Sequence, residues 1–525
     1  MELTGKNIIG EELAGNGKAF KAENPATAAI LEPAFYEATE EEINHAIQKA
    51  DVAFRLYSKK SGIEKAVFLE AIAEEIIGLG DSLITQGMKE TGLPEARLTG
   101  ERGRTVNQLK LFAEVLREGS WVNARIDRAD ADRKPLPKPD IRSMNRPLGP
   151  VGIFGASNFP FAFSVAGGDT ASALAAGCTV VVKAHPAHPG TCELAGLAIQ
   201  RAVKKCGMPE GTFSMLHGPS VDVGLSIVRD PLIKAIGFTG SFKGGKALFD
   251  EANRRPVPIP VYAEMGSTNP VFILPGALKE KGEMIAKDLA ASVTQGVGQF
   301  CTNPGLVMFE QEFVTDSFIT SLKHTIQETA SGVMLTSAIR DNFKRGVEKL
   351  EAHKNVSRVA IGKAEGQGHR GIATVLQTSG ATFLQDDHLE EEIFGPVTLL
   401  VKSGSRAELI HAAQKLSGHL TATVHGTEKD LLDYKDLIAI LEQKVGRLIF
   451  NGYPTGVEVC HSMVHGGPFP ATTDSRTTSV GTAAIFRFVR PVAFQNFPSA
   501  VLPDELKDNN PLNIWRLVNG QWQKN

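Results

Sequence analysis

Between Gly149 and about residue 240, short apolar runs alternate with longer helical patterns, and nothing else in the chain restricts its fold so strongly. The runs are Val151-Gly152-Ile153-Phe154, Thr179-Val180-Val181-Val182, Phe213-Ser214-Met215-Leu216 and Ala235-Ile236-Gly237-Phe238. Helical stretches such as Thr191 to Lys205 lie between them. A strand that is apolar at every position is buried on both faces. Helices between such strands carry the chain back over the sheet, so the strands must run parallel. Sheets of this kind bind ligands in the crevice outside their carboxyl ends. A second α/β stretch begins near Val261 and continues to about residue 455, so the expected class is α/β with two parallel sheets.

With 525 residues the chain exceeds one ordinary core, and two or three domains are expected. A formal net charge of -3 gives no electrostatic reason to expect nucleic acid or an anionic membrane as partner. Five cysteines, none in a C-x-x-C pair, argue against a disulfide framework and a zinc cluster, so no metal is expected. Met1 to Lys6 leads into no apolar core of signal-peptide length, and no apolar run reaches the length of a membrane span. These features fit a reducing cytoplasm.

Residues 39 to about 118 read as helical. Thr39-Glu40-Glu41-Glu42 has the form of a capping box, and Ile43, Ala46, Ile47 and Ala50 follow at helical spacing. Asn24-Pro25-Ala26-Thr27 before them is a turn signal. The stretch Arg128 to Asp140, with Pro135, Pro137 and Pro139, cannot be a helix interior and suits an extended arm leading into a strand at Ile141 to Met144. Phe486-Arg487-Phe488-Val489-Arg490 alternates as a strand does, and Pro491 after it predicts an edge or inter-subunit strand rather than a central one.

The chemistry-bearing positions are few. Gly298-Gln299-Phe300-Cys301-Thr302-Asn303-Pro304-Gly305 sets one cysteine in a glycine-flanked loop, where backbone N–H groups can stabilise a thiolate and then an oxyanion. The competing reading is a buried cysteine acting as a small hydrophobe, as Cys178, Cys192 and Cys206 read. Cys460, with His461 next to it and His465 nearby, keeps a second Cys–His pair open. Asn158, beyond the first strand, suits either an oxyanion donor or a helix cap. Lys183 ends the second strand, where a cation suits ribose or phosphate, or simply solvent. Gly240, Ser241 and Gly245 bracket a strand-to-helix turn that would let a helix N-terminus approach a pyrophosphate. Glu264 lies between an apolar strand and a Gly turn; burial there should raise its pKa and suit it to act as a base. Glu392 either lies solvated within Glu390-Glu391-Glu392 or is aimed inward by the following Phe394-Gly395-Pro396 turn.

Each signal is modest, but their order is specific. Asn158, Lys183, Gly240 with Gly245, Glu264, Cys301, and Glu392 with Phe394 together resemble the aldehyde dehydrogenase superfamily over nearly the whole chain. The Gly155 to Phe163 segment, Gly266-Ser267-Thr268-Asn269-Pro270 and Cys301-Thr302-Asn303-Pro304-Gly305 look most like the α-ketoglutarate semialdehyde (2,5-dioxopentanoate) dehydrogenases within it. NADP-dependent fatty aldehyde dehydrogenases are similar. The resemblance implies two Rossmann-type α/β domains and a small β oligomerisation arm. Residues 1–126 and 148–262 would bind dinucleotide, 263–480 would be catalytic, and 127–147 with 481–525 would form the arm and tail. It implies a homodimer or homotetramer. It also implies that Cys301 attacks the aldehyde, that Asn158 and the Cys301 backbone N–H hold the oxyanion, and that Glu264 activates water. Lys183 and Glu392 would hold the ribose groups and Phe394 would brace the nicotinamide. Phe159, Phe163, Phe300, Thr302 and the segment Val457 to His465 would line the aldehyde funnel.

One departure bears on the cofactor. NAD-preferring relatives carry a glutamate where Pro186 stands, with His185 and His188 nearby. Losing that anion removes repulsion toward a 2′-phosphate, so NADP is expected to be preferred and NAD possible. Rival functions on the same scaffold are a cysteine esterase, a non-catalytic binding protein and a coenzyme A-acylating dehydrogenase; retention of both Cys301 and Glu264 speaks against the last two.

Overall fold

The computed structural model describes residues 2–314 and 316–524. All four apolar runs are strands: Val151–Phe154, Val180–Lys183, Phe213–Leu216 and Ala235–Thr239. With Val261–Glu264 they form a parallel array, which Asn7–Ile9 and Glu12–Ala14 extend antiparallel at one edge. The spatial order is Val261–Glu264, Ala235–Thr239, Val151–Phe154, Val180–Lys183, Phe213–Leu216, Asn7–Ile9, Glu12–Ala14. The chain grows outward from Val151–Phe154 in one direction, then returns to place Ala235–Thr239 on that strand's other side. The sheet therefore has its topological switch point between these two strands, and a ligand crevice opens beyond their carboxyl ends.

The helices over this sheet follow from the same patterning. Thr39 Oγ1 accepts the Glu42 N–H at 3.2 Å, and Glu42 Oε2 accepts the Thr39 N–H at 2.9 Å, completing the capping box of helix Glu40–Tyr57. Such a cap is worth about 1 kcal/mol. Helices Gly62–Gly78, Gly80–Thr91 and Glu95–Glu118 follow. Phe68, Leu69, Ile72, Leu109 and Phe112 from these helices share one core with Val180 and Val182 of the sheet.

A second seven-stranded sheet is parallel throughout except for one edge pairing. Its order is Ser357–Ile361, Thr374–Ser379, Val397–Ser403, Leu306–Glu310, Val271–Ile273, His419–His425, Val445–Phe450, with the first pair antiparallel. The arm is a third sheet, in which Val489–Gln495, Ile141–Pro147 and Arg125–Asp127 are joined by tail strands Arg516–Val518 and Gln521–Gln523. These are the two α/β bodies and small β arm of the expected class. No helix among the described residues is long and apolar enough to cross a membrane.

One expectation is corrected. Phe486, Arg487 and Phe488 are not strand: Thr482–Phe488 is a 3-10 helix, and the edge strand starts at Val489. Arg487 carried the polar half of the apparent alternation, yet it is 2% exposed and its guanidinium pairs with Asp169 at 2.6 Å. Breaking such a buried pair strands one charge, at a cost of about 3–5 kcal/mol. The predicted edge position holds, since Val489–Gln495, with Pro491 inside it, ends the arm sheet.

Candidate active site

Beyond the switch point lies a cavity of about 610 Å³, lined among others by Ser157, Asn158, Gly240, Glu264, Cys301 and Phe394. A second cavity, of about 290 Å³, is lined by residues including Arg97, Arg104, Phe159, Phe300, Thr302 and His465. Cys301, Phe159 and Phe163 border both. The sulfur thus stands where two chambers meet.

The loop that presents Cys301 is built by backbone geometry. After helix Pro275–Thr294 the chain passes through Gly296, Val297 and Gly298, all at positive φ. At Gly298 (φ +63) a Cβ would lie 2.3 Å from the Gly395 carbonyl oxygen, so only glycine fits there. That close approach ties the cysteine loop to the segment carrying Glu392 and Phe394. Asn269, fully buried, holds the loop from the other side: its Nδ2 donates to the carbonyls of Cys301 (2.8 Å), Asn303 (2.9 Å) and Ser267 (3.1 Å). Asn158 Nδ2 donates to the Gln299 carbonyl at 3.0 Å. A primary amide has two N–H hydrogens, so a second remains uncommitted on a side chain that lines the same cavity as Cys301. This placement favours the oxyanion-donor reading of Asn158 over the helix cap.

Around the thiol sits a proton-sharing group. Cys301 Sγ lies 3.5 Å from His465 Nε2, which lies 2.9 Å from Glu264 Oε1, and Ser479 Oγ donates to Glu264 Oε2 at 2.7 Å. The ligand-capable atoms of Glu264, Cys301 and His465 all fall within 4.8 Å of one another. His465 Nε2 carries at most one hydrogen, so it serves the sulfur or the carboxylate, not both at once. Burial pushes the Cys301 thiol well above its ordinary value, and the neighbouring Glu264 charge adds to that. For Glu264 burial also pushes upward, but the charge and hydrogen bond of His465, with Ser479 and Cys301, outweigh it, so the carboxyl lies below its ordinary value. The sequence-based expectation of a raised Glu264 pKa is therefore wrong in direction. The resting pair is a neutral thiol beside an ionised carboxylate.

On the nucleotide side, Gly240, Ser241 and Gly244 line the larger cavity at the start of helix Phe242–Arg254. A Cβ at Gly240 would lie 2.7 Å from the Phe238 ring, and one at Gly266 would lie 2.2 Å from Glu392 Oε2. These bare backbones keep the cradle open, and it fits a dinucleotide. Gly245 instead packs against Met265, where a Cβ would come within 2.7 Å. Glu392 lines the cavity and stays exposed to solvent. The surrounding walls push its carboxyl up to about 7, with the Glu264 charge adding, against a bond from the Ser267 backbone. Lys183 donates from Nζ to the Gly218 carbonyl at 2.7 Å, and burial lowers it to about 8. Lys183 and Pro186 are half-buried next to His185, which does line the cavity.

The two histidines near Pro186 are not free cations. His188 is fully buried, with Nε2 3.0 Å from the Ala156 carbonyl and Nδ1 3.2 Å from Cys192 Sγ. Burial first, then the neighbouring His188 and Lys183, holds His185 well below its ordinary value.

In the smaller cavity Phe159 meets Phe163 and Phe300 edge-on at 5.2 and 5.5 Å. Thr302 is buried in its wall. The open alternative at Cys460 is resolved: His461 Nδ1 lies by Thr482 Oγ1, and His465 faces Cys301 instead. Sequence reasoning placed His465 in the funnel lining or beside Cys460, and gave no role to Asn269, Ser479 or Arg104.

The family model for the aldehyde dehydrogenase family matches residues 13–469. This chain belongs to that family, and with its two-sheet scaffold and cysteine site it is an NAD(P)-dependent aldehyde dehydrogenase. It is 48% identical, over 523 residues spanning 99% of this chain and 100% of the other, to alpha-ketoglutaric semialdehyde dehydrogenase 2 of Azospirillum brasilense. It is 45% identical to alpha-ketoglutaric semialdehyde dehydrogenase of Acinetobacter baylyi, over 100% of both chains. Among solved structures, methylmalonate-semialdehyde dehydrogenase from Oceanimonas doudoroffii superposes with TM-score 0.80 over 94% of this chain and 98% of that one, at 17% identity.

Proposed function

We propose that this enzyme oxidises 2,5-dioxopentanoate (α-ketoglutarate semialdehyde) to 2-oxoglutarate, with NADP preferred over NAD. The observation that carries the chemistry is the position of Cys301 between the two cavities, with Glu264 and His465 around its sulfur and Asn158 lining the same cavity. Cys301 gives its proton to His465 Nε2, 3.5 Å away, and Sγ bonds to the aldehyde carbon. The second N–H hydrogen of Asn158 and the Cys301 backbone N–H hold the oxyanion. A bound nicotinamide supplies the hydride acceptor, and the carbon left on Cys301 is then at the thioester level. Glu264 next takes a proton from water, whose oxygen attacks that carbon, and the thiol is released with the acid. Gly240, Ser241, Lys183, Pro186, Gly245, Glu392 and Phe394 form or support the cofactor's cradle.

The substrate follows from the relatives, 48% and 45% identical over the full length. The aldehyde cavity of about 290 Å³ is at the low end for small-molecule sites, which favours a five-carbon acid over a fatty chain. Division into residues 1–126 with 148–262, 263–480, and 127–147 with 481–525, assembly as a homodimer or homotetramer through the arm, and a cytoplasmic location belong to the same proposal.

Steady-state kinetics on 2,5-dioxopentanoate and decanal, with each cofactor, test it. The dioxo acid should lead in kcat/KM by at least about tenfold, and a preference for decanal would reject the substrate. NAD favoured a hundredfold would reject the cofactor choice. A finer test uses pH. A lysine lowered to about 8 is charged below that pH and neutral above it. The kcat/KM for NADP should therefore fall as pH rises through 8, and that for NAD should fall less.

A further inference from the structure

We propose that Arg104 forms a carboxylate-binding subsite in the aldehyde cavity and selects aldehydes that carry an acid group at the far end. The inference rests on the dioxo acid reading above and supplies the cation that reading requires.

Two arginines from helix Glu95–Glu118 line the cavity. Arg97 is already engaged: its Nη1 pairs with Glu101 Oε2 at 2.5 Å, and its guanidinium lies 4.3 Å from the Phe159 ring centre. Glu101 is engaged as well, since its other oxygen accepts the backbone N–H groups of Phe161 (2.8 Å) and Ala162 (3.0 Å). Its charge acts on Arg104, but it makes no hydrogen bond to Nη1 or Nη2 of that residue. Arg104 differs. Its guanidinium lies 4.9 Å from the Phe163 ring centre, yet Nη1 and Nη2 are shielded from solvent and have no hydrogen-bond partner among the described residues. A guanidinium offers a planar fork that matches a carboxylate in two parallel bonds. Leaving that fork dry and unpaired is costly, and burial holds Arg104 below its ordinary value. Arg104 borders the aldehyde cavity, so a carboxylate arriving there meets the fork once the guanidinium turns toward it.

The reach is right. In an extended five-carbon aldehyde acid the carboxylate carbon lies roughly 5 Å from the aldehyde carbon. Arg104 is close enough to Cys301 and Glu264 that its charge acts on both. Phe159, Phe163 and Phe300 supply apolar walls for the intervening carbons. A neutral aldehyde would leave the fork unpaired, so the site discriminates by what it fails to satisfy as well as by what it binds.

The test compares 2,5-dioxopentanoate with pentanal, equal in carbon count but lacking the charge, in the full-length enzyme with NADP. The readout is the ratio of their kcat/KM values, which cancels changes common to both. Wild type should favour the acid. In Arg104→Met that ratio should fall about 100-fold, mainly through KM for the acid. Arg104→Lys should restore part of it, and serves as the informative variant if the methionine protein does not fold. A wild-type preference that survives in both variants overturns the Arg104 subsite and leaves the substrate reading standing. A wild type with no preference for the acid overturns the substrate reading itself, and the subsite with it.

Discussion

Glu264→Gln is expected to form product once per site and then stall. Rapid mixing with aldehyde and NADP should give a burst of reduced cofactor close to one equivalent per active site. Steady turnover after it should be about 10²–10⁴-fold below wild type, the range for loss of a general base. The reasoning follows from what the carboxylate touches. Formation of the thioester needs an acceptor for the thiol proton, and His465 Nε2, 3.5 Å from Sγ, remains when the carboxylate is gone. Hydrolysis needs a base on water in the same pocket, and glutamine is not one. The substituted amide would keep the volume and still accept from Ser479, so the fold around it should persist. A variant retaining more than about a tenth of wild-type turnover would remove Glu264 from the hydrolytic step. Loss of the burst in proportion to turnover would instead move its essential role upstream, to thiol deprotonation.

The sequence carried the parallel sheets because burial on both faces leaves unbroken apolar runs, and the helical stretches between them point to parallel crossovers. It carried Cys301 and Glu264 because loop chemistry around them is local: glycines at positive φ, a proline after Asn303, a Gly turn after Met265. It did not carry His465. That residue reaches Cys301 across 164 positions of chain and Glu264 across 201, and nothing in its neighbours signals the meeting. The error over Glu264 has the same root. Burial does push its carboxyl upward, as expected, but the opposing groups arrive from residues 465 and 479, which only the fold brings there. Phe486 to Phe488 misled for a related reason: a buried arginine with a distant aspartate looks, in sequence, like an outward polar residue. Arg104 was invisible because a charged residue on a helix ordinarily faces water, and only the assembled cavity shows one whose fork has no partner.

Changing Cys301 to alanine or serine is expected to lower kcat/KM for aldehyde oxidation by at least about 10⁴-fold, the largest effect in the molecule. Alanine leaves no atom to bond the aldehyde carbon. Serine keeps an oxygen, but a hydroxyl ionises far less readily than a thiol, and the setting is already hostile to an anion: burial and the Glu264 charge raise even the thiol well above its ordinary value. The same raised value predicts how the thiol itself behaves. Alkylation of the free enzyme by iodoacetamide should be slow at pH 7 and quicken as pH rises. In Glu264→Gln, where that charge is gone, the thiol should ionise more easily and alkylate faster at pH 7, although turnover has collapsed. Inactivation should track one residue in mass spectra. Cys178 and Cys192 are fully buried, with thiols pushed up to about 11 and about 12 by burial. Cys206 and Cys460 are half-buried, and changing either to serine should leave activity intact. If the serine variant kept even a hundredth of wild-type oxidation, covalent attack by this sulfur could not be the route. If Glu264→Gln alkylated more slowly than wild type, the carboxylate would be drawing the proton off the resting thiol rather than holding the thiol neutral.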